Sequence, residues 1–182
     1  MKPSVHLQTI HRGSRFLAPM CLLGAIVWPL VSTGWVLMAK DVELYSNFGV
    51  EAPVGASVAV GIGQRLLVSA FNLMPRLAAS IGLWALYRCF RLFSAEEYFS
   101  VQTARWLRRF SGWTFCHVAL AEVFQPVIML VLTAGFPDGQ HQAMFSFGPH
   151  QFYPLLIAGT VWVISGAMAE AGRLADENAQ FV

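Results

Sequence analysis

Charge is scarce in this sequence, and that scarcity decides its class. Only 12% of its 182 residues are charged while 56% are hydrophobic. So little polar surface cannot coat a soluble domain of this size, and the chain belongs in lipid. Cysteine is equally sparse. Cys21, Cys89 and Cys116 are odd in number, far apart and set in or at the ends of apolar runs. That excludes a disulfide framework and offers no CxxC spacing for zinc or redox chemistry; the three read as small buried apolar side chains. The net charge of +2 is not gathered into one basic patch, so direct nucleic-acid binding is not expected.

Familiar motifs are missing too. "GIG" at 61–63 lacks the last glycine of GxGxxG, and no GK[ST] follows any glycine loop, so nucleotide phosphates find no cradle. Nothing in the pattern assembles a Ser-His-Asp or Cys-His set. No enzyme activity and no cofactor are expected. Without a solenoid repeat, a low-complexity tract or a Gly/Ser/Pro linker, residues 1–182 make one domain.

What the chain does have is long apolar runs, at about 16–38, 66–87, 112–134 and 152–169. Each is close to the ~20 helical residues that a hydrocarbon core requires. Backbone polar groups must be satisfied internally in lipid, so the expected fold is an all-α integral membrane protein with four transmembrane helices packed as a bundle. Lys2, Arg12 and Arg15 precede the first run in the manner of a signal peptide. The run exceeds the usual ~7–15 residues and no clear A-x-A site follows, which predicts an uncleaved first span. Basic residues then assign the sides. The second connection holds Arg88, Arg91, Arg105, Arg108 and Arg109, and the tail holds Arg173; the first connection has only Lys40 and Arg65, and the third has none. By the positive-inside rule both termini are expected in the cytoplasm.

Within the second connection, Ser94-Ala95-Glu96-Glu97 is an S-x-x-E capping box, predicting a helix over 95–110. Phe99, Thr103, Trp106 and Phe110 fall on one face, and Tyr98, Gln102, Arg105 and Arg109 on a neighbouring polar one. Aromatic residues opposite arginines suit an amphipathic helix in the headgroup layer. Such a helix is either a linker that fixes topology or a surface, carried by Phe99, Arg105, Trp106 and Arg109, for a lipid or a cytoplasmic protein.

Two stretches carry a family resemblance. "RLFSAEEYFSVQTARWLRRFSGW" is similar to a short loop, "F" and "LR..G" pattern between middle spans. "AMAEAGRLADENAQFV" is similar to an acidic, amide-containing ending "E…L..EN…V", with Glu170, Leu174, Glu177, Asn178 and Val182 at the matching positions. Both patterns belong to the bacterial family catalogued as domain of unknown function 2975, which the chain resembles over nearly its whole length from the first span onward. The resemblance implies four helices in a bacterial inner membrane and no established enzyme activity. Members often lie beside genes for small helix-turn-helix regulators, which makes a cytoplasmic regulator a candidate partner.

The tail, 170–182, can extend the fourth helix, with Glu170 and Arg173 at i,i+3 and Leu174 between polar flanks. It reads as a solvated end or as a docking element.

The remaining question is a carboxylate, Glu122, inside an apolar run. A charge near a bilayer centre costs ~2.5–3.5 kcal/mol on insertion scales, so it needs a partner, a cavity or a proton. With Arg88 and Gly112 taken as the membrane edges, Arg76 and Glu122 lie at depths within ~3 Å of each other. That predicts an intramembrane ion pair, with Gln125 satisfying carbonyls freed by Pro75 and Pro126. The pair reads as structural glue or as a proton or ion site. His117 is the only histidine inside an expected span; His6, His11, His141 and His150 lie outside. A bis-histidine haem therefore lacks its second ligand, and a bundle-facing, hydrogen-bonded histidine is expected. Asp138, His141 and His150 have no metal-specific spacing.

Two functions follow. One is a small membrane regulatory or sensing module whose cytoplasmic helix and tail engage a soluble partner. The other is a small transporter or ion-coupled protein, alone or as a homo-oligomer, using Arg76, Glu122 and His117.

Overall fold

The computed structural model describes residues 5–51, 59–95, 97, 100–137, 140–145 and 148–179. Its elements are α1 (Val5–Met38), α2 (Asp41–Asn47), α3 (Ile62–Ser94), α4 (Val101–Thr133) and α5 (Pro149–Ala179). All but α2 are long and apolar enough to cross a bilayer, and each contains one of the four expected spans. At ~1.5 Å per residue the long helices run ~46–51 Å, well beyond a ~30 Å hydrocarbon core. Polar residues next to each span therefore stay helical.

The long helices form a row. α3 packs against α1 and α4, and α4 packs against α5, so α3 and α4 are central and the outer two lie on their flanks. Gly82 lets the central pair approach: a Cβ there would stand 3.4 Å from the Trp113 Cβ, the small-residue contact typical of membrane helices. On α1, Leu23, Ile26 and Leu30 are exposed, as are Ile157 and Val163 on α5. Lipid is the solvent that suits such a surface.

One end of the row is closed by α2. Between α1 and α2, Arg65 reaches back from α3 to the carbonyls of Val36, Leu37 and Ala39 at 3.2, 3.4 and 2.7 Å, and it pairs with Asp41 at 2.5 Å. A helix leaves its last carbonyls without intrahelical partners, and here a guanidinium takes them. α2 stops at a Schellman turn, in which Gly49 adopts φ +69° while Val50 N–H donates to the Tyr45 carbonyl at 2.9 Å. Leu44, Tyr45, Phe48, Val68, Leu132 and Phe136 pack there as the main core. Burial and the Asp41 carboxylate push the Tyr45 hydroxyl up, against an opposing pull from Arg65.

The other end carries the arginines, and here two expectations are corrected. The capping box at Ser94 is not used: Ser94 is the last residue of α3, and its hydroxyl donates to the Phe90 carbonyl at 3.0 Å. The next helix begins under Ser100, whose hydroxyl accepts from the Thr103 N–H at 3.1 Å. Residues 101–110 are the first turns of continuous α4 and not a separate helix of 95–110. Trp106 is only 8% exposed, packed with Ala85 and Cys89, so it is no open partner surface. Its ring meets Trp84 edge-on at 5.3 Å. Arg105 and Arg109 are exposed, while Phe99 and Tyr98 lie outside the described residues.

Candidate functional site: a polar cavity beside the central helix pair

Where α2 ends and α5 begins, residues of α2, α3, α4 and α5 line a cavity of about 520 Å³. Its wall includes Asn72 and Arg76 from α3, His117, Glu122 and Gln125 from α4, and Gln151 from α5. Exposed Ser46, Asn47, Met144 and His150 form its rim. Arg76 and His117 sit near the middle of helices 33 residues long, so the cavity descends about half the length of the row.

Helix register decides what each side chain does. His117 Nδ1 lies 2.9 Å from the Pro75 carbonyl; a carbonyl only accepts, so Nδ1 carries the proton. That contact puts His117 level with Pro75 and Arg76. Glu122 is five residues farther along α4, about 7.5 Å in rise and ~140° around the helix. It turns away from α3, and its Oε1 accepts from Gln151 Nε2 on α5 at 2.6 Å. The expected Arg76–Glu122 ion pair is therefore not formed. Arg76 instead lies over the Trp28 ring of α1, 5.5 Å from its centroid, with Nε buried and unpartnered. Counting from Arg88 and Gly112 misplaced the pair because α3 runs six residues past Arg88 whereas α4 begins eleven before Gly112, a slip of five residues.

The amides have definite tasks. Gln125 donates to the Phe48 carbonyl at 2.9 Å, tying α4 to the end of α2, where the sequence had assigned it to proline-freed carbonyls. Gln151 accepts from Gly148 N–H at 2.8 Å, so one side chain caps the start of α5 and reaches Glu122. Asn72 and Gln151 were missed by sequence reasoning. Asn72 stands one turn before Arg76 on the same face, an i,i+4 signal available from the sequence; Gln151 gave none, because it lies beyond the expected edge of the fourth span.

The other candidates separate from this site. His141 donates from Nδ1 to the Thr133 carbonyl at 2.9 Å, a loop-anchoring role. Asp138 lies outside the described residues, and among those described no group of three or more His, Cys, Asp or Glu is placed to hold a metal. In the tail, Arg173 pairs with Glu170 and Glu177, each at 2.6 Å, and Leu174 is exposed. A shallower groove of about 500 Å³ at the arginine-rich end is lined by Arg15, Tyr87, Arg91 and Ser94.

Compared with protein-family models, curated proteins and solved structures, the chain matches none. The fold itself defines the class: a helical protein with four candidate membrane spans and a polar cavity between them.

Proposed function

We propose that this is a small solute-responsive regulatory module of a bacterial inner membrane, with both termini in the cytoplasm. A polar molecule enters the cavity from the outer side, and a soluble partner at the inner ends of α4 and α5 reads its occupancy. The observation that carries this reading is the cavity, which brings charges of both signs, Arg76 near the middle of α3 and Glu122 about 7.5 Å nearer the α2 end, into one polar space within the helical row. Ionisable groups at that depth are costly and line ligand or ion paths more often than plain packing surfaces. α4 and α5 both wall the cavity and both run to the arginine-rich end, and the Gln151–Glu122 contact between them is the element whose arrangement a bound molecule would bias. The family resemblance supports a helix-turn-helix regulator as the partner, with Glu170, Arg173, Leu174, Glu177 and Asn178 as its contact.

Affinity purification from native membranes in mild detergent tests the reading, comparing the full chain with one ending at Ala169. A soluble regulator recovered only with the full chain is expected. Recovery of none, with both chains folded, would sink it. The ion-coupled transporter is favoured by the same pair of charges; it requires substrate flux into liposomes that disappears in Glu122→Gln.

A further inference from the structure

We infer that the cavity takes a small zwitterion of the amino-acid class, with its carboxylate at Arg76 and its ammonium at Glu122. This rests on the reading of the cavity as a ligand site and adds its chemistry.

The argument is one of unbalanced charge. Arginine stays protonated in proteins, and Arg76 lies over an aromatic ring with its buried Nε making no hydrogen bond and no carboxylate among the described residues paired with it. A cation at this depth without a counter-ion carries a heavy desolvation cost. Glu122 has the complementary problem: among the described residues its hydrogen-bond partner is the neutral amide of Gln151, and the ion pairs, Arg65–Asp41 and Arg173 with Glu170 and Glu177, do not include it. Both charges line one cavity and are offset by about 7.5 Å of helix rise, so they do not cancel each other directly.

Charge class then selects the occupant. A simple anion would satisfy Arg76 but add repulsion at Glu122, and a simple cation would do the reverse. A molecule carrying both signs satisfies each and spans the offset between them. The walls agree with that polarity. Asn72, one turn before Arg76 on α3, which runs antiparallel to α4, stands at the level of Glu122, where its amide carbonyl adds a neutral acceptor for the ammonium. At the same end Pro126 lacks the N–H that would bond the Glu122 main-chain carbonyl, leaving an acceptor beside the carboxylate. About 520 Å³ lies within the ~300–1,000 Å³ range of small-molecule sites.

The test uses the full-length protein in nanodiscs of phosphatidylethanolamine and phosphatidylglycerol. Calorimetry and thermal shift are run with each standard L-amino acid, β-alanine and 4-aminobutyrate at millimolar concentration. For the best binder, its N-acetyl derivative removes the cation and the corresponding amine removes the carboxylate. Saturable binding of at least one zwitterion is expected, with each charge-deleted analogue weaker by about tenfold or more. Glu122→Gln should erase the discrimination against the N-acetyl form, and Arg76→Gln the discrimination against the amine. The analogue comparison on wild-type protein carries the test even where a variant fails to fold. An N-acetyl derivative or amine that binds as tightly as its parent overturns the zwitterion and leaves the ligand site standing. Folded wild-type protein that binds no member of the panel overturns both.

Discussion

The two ends of the helical row are fastened by different physics. At the α2 end basic charge is sparse, Lys40 and Arg65 alone in the first connection, and the chain spends a guanidinium on its own backbone: Arg65 takes carbonyls at the end of α1 together with Asp41. Glutamine side chains act likewise there, Gln64 donating to the Val131 carbonyl at 3.0 Å and Gln142 exchanging bonds with the Glu51 main chain at 2.8 and 3.0 Å. Beneath these bonds lies the larger core. At the opposite end arginine is abundant, and the guanidinium groups spread over indole faces. Arg88 lies 5.7 Å from the Trp84 ring and 5.2 Å from Trp106, Arg109 lies 4.7 Å from Trp106, and Arg108 lies 4.5 Å from Trp162. One Trp106 ring thus serves two like charges. The lesson is that an isolated charge at a helix end becomes a cap, whereas a crowd of one sign needs polarisable surface.

The largest break in this contrast comes from Arg65→Met. Its side chain is 14% exposed and that of Asp41 34%, so removing the cation strands a carboxylate and the last carbonyls of α1. Stability should fall by about 3 kcal/mol, read from denaturant or thermal melts in mild detergent. Adding Asp41→Asn should recover less than half of the loss, since the carbonyls remain without a donor. Full recovery would mean that the ion pair, and not the cap, holds this end.

A smaller effect is expected from Arg88→Gln with Arg109→Gln. Cation–π contacts at exposed sites are worth ~0.5–1 kcal/mol each, so the double variant, which removes three of them, should lose about 2 kcal/mol. High salt should narrow that loss, because exposed charges are screened, while the Arg65→Met loss should hardly move. Equal salt dependence of the two losses, measured by melts at low and high ionic strength, would erase the distinction between the ends.

Much of this is legible in the sequence. Each span is a long apolar run, and no other element satisfies its backbone in lipid, so the four long helices announce themselves. Their ends do not. Ser94 and Ser100 both suit a helix start, and the choice between them is made by tertiary packing: Cys89, Leu92 and Phe93 of α3 meet Trp106 and Leu107 of α4, which keeps α3 helical to Ser94. α2 escaped notice because "DVELYSN" is short and polar, with its role fixed by burial of Leu44 and Tyr45. Arg76, His117, Glu122 and Gln125 were identifiable as intramembrane polar residues, and all four line one cavity. Which of them touch was not legible, because five residues of register turn Glu122 from α3 to α5.

The smallest expected effect on stability is at the end of α5. Arg173 bridges Glu170 and Glu177 with all three side chains about half exposed or more, where solvent screens the pairs and each long side chain gives up rotamer entropy to hold them. Arg173→Ala should therefore leave the melting curve unchanged while amide exchange over 170–179 becomes faster, since the pairs support only the last turns of the helix. That separation is useful. The exposed Leu174 lies beside Arg173 on this stretch, so loss of the proposed soluble partner in Arg173→Ala, at unaltered stability, would mean that the clamp presents the helix end and does not hold the fold. Retention of the partner despite faster exchange would place the contact on residues that need no preformed helix. A drop in melting temperature comparable to that of the double arginine variant would instead make the tail part of the arginine-rich end, fastened by the same charges.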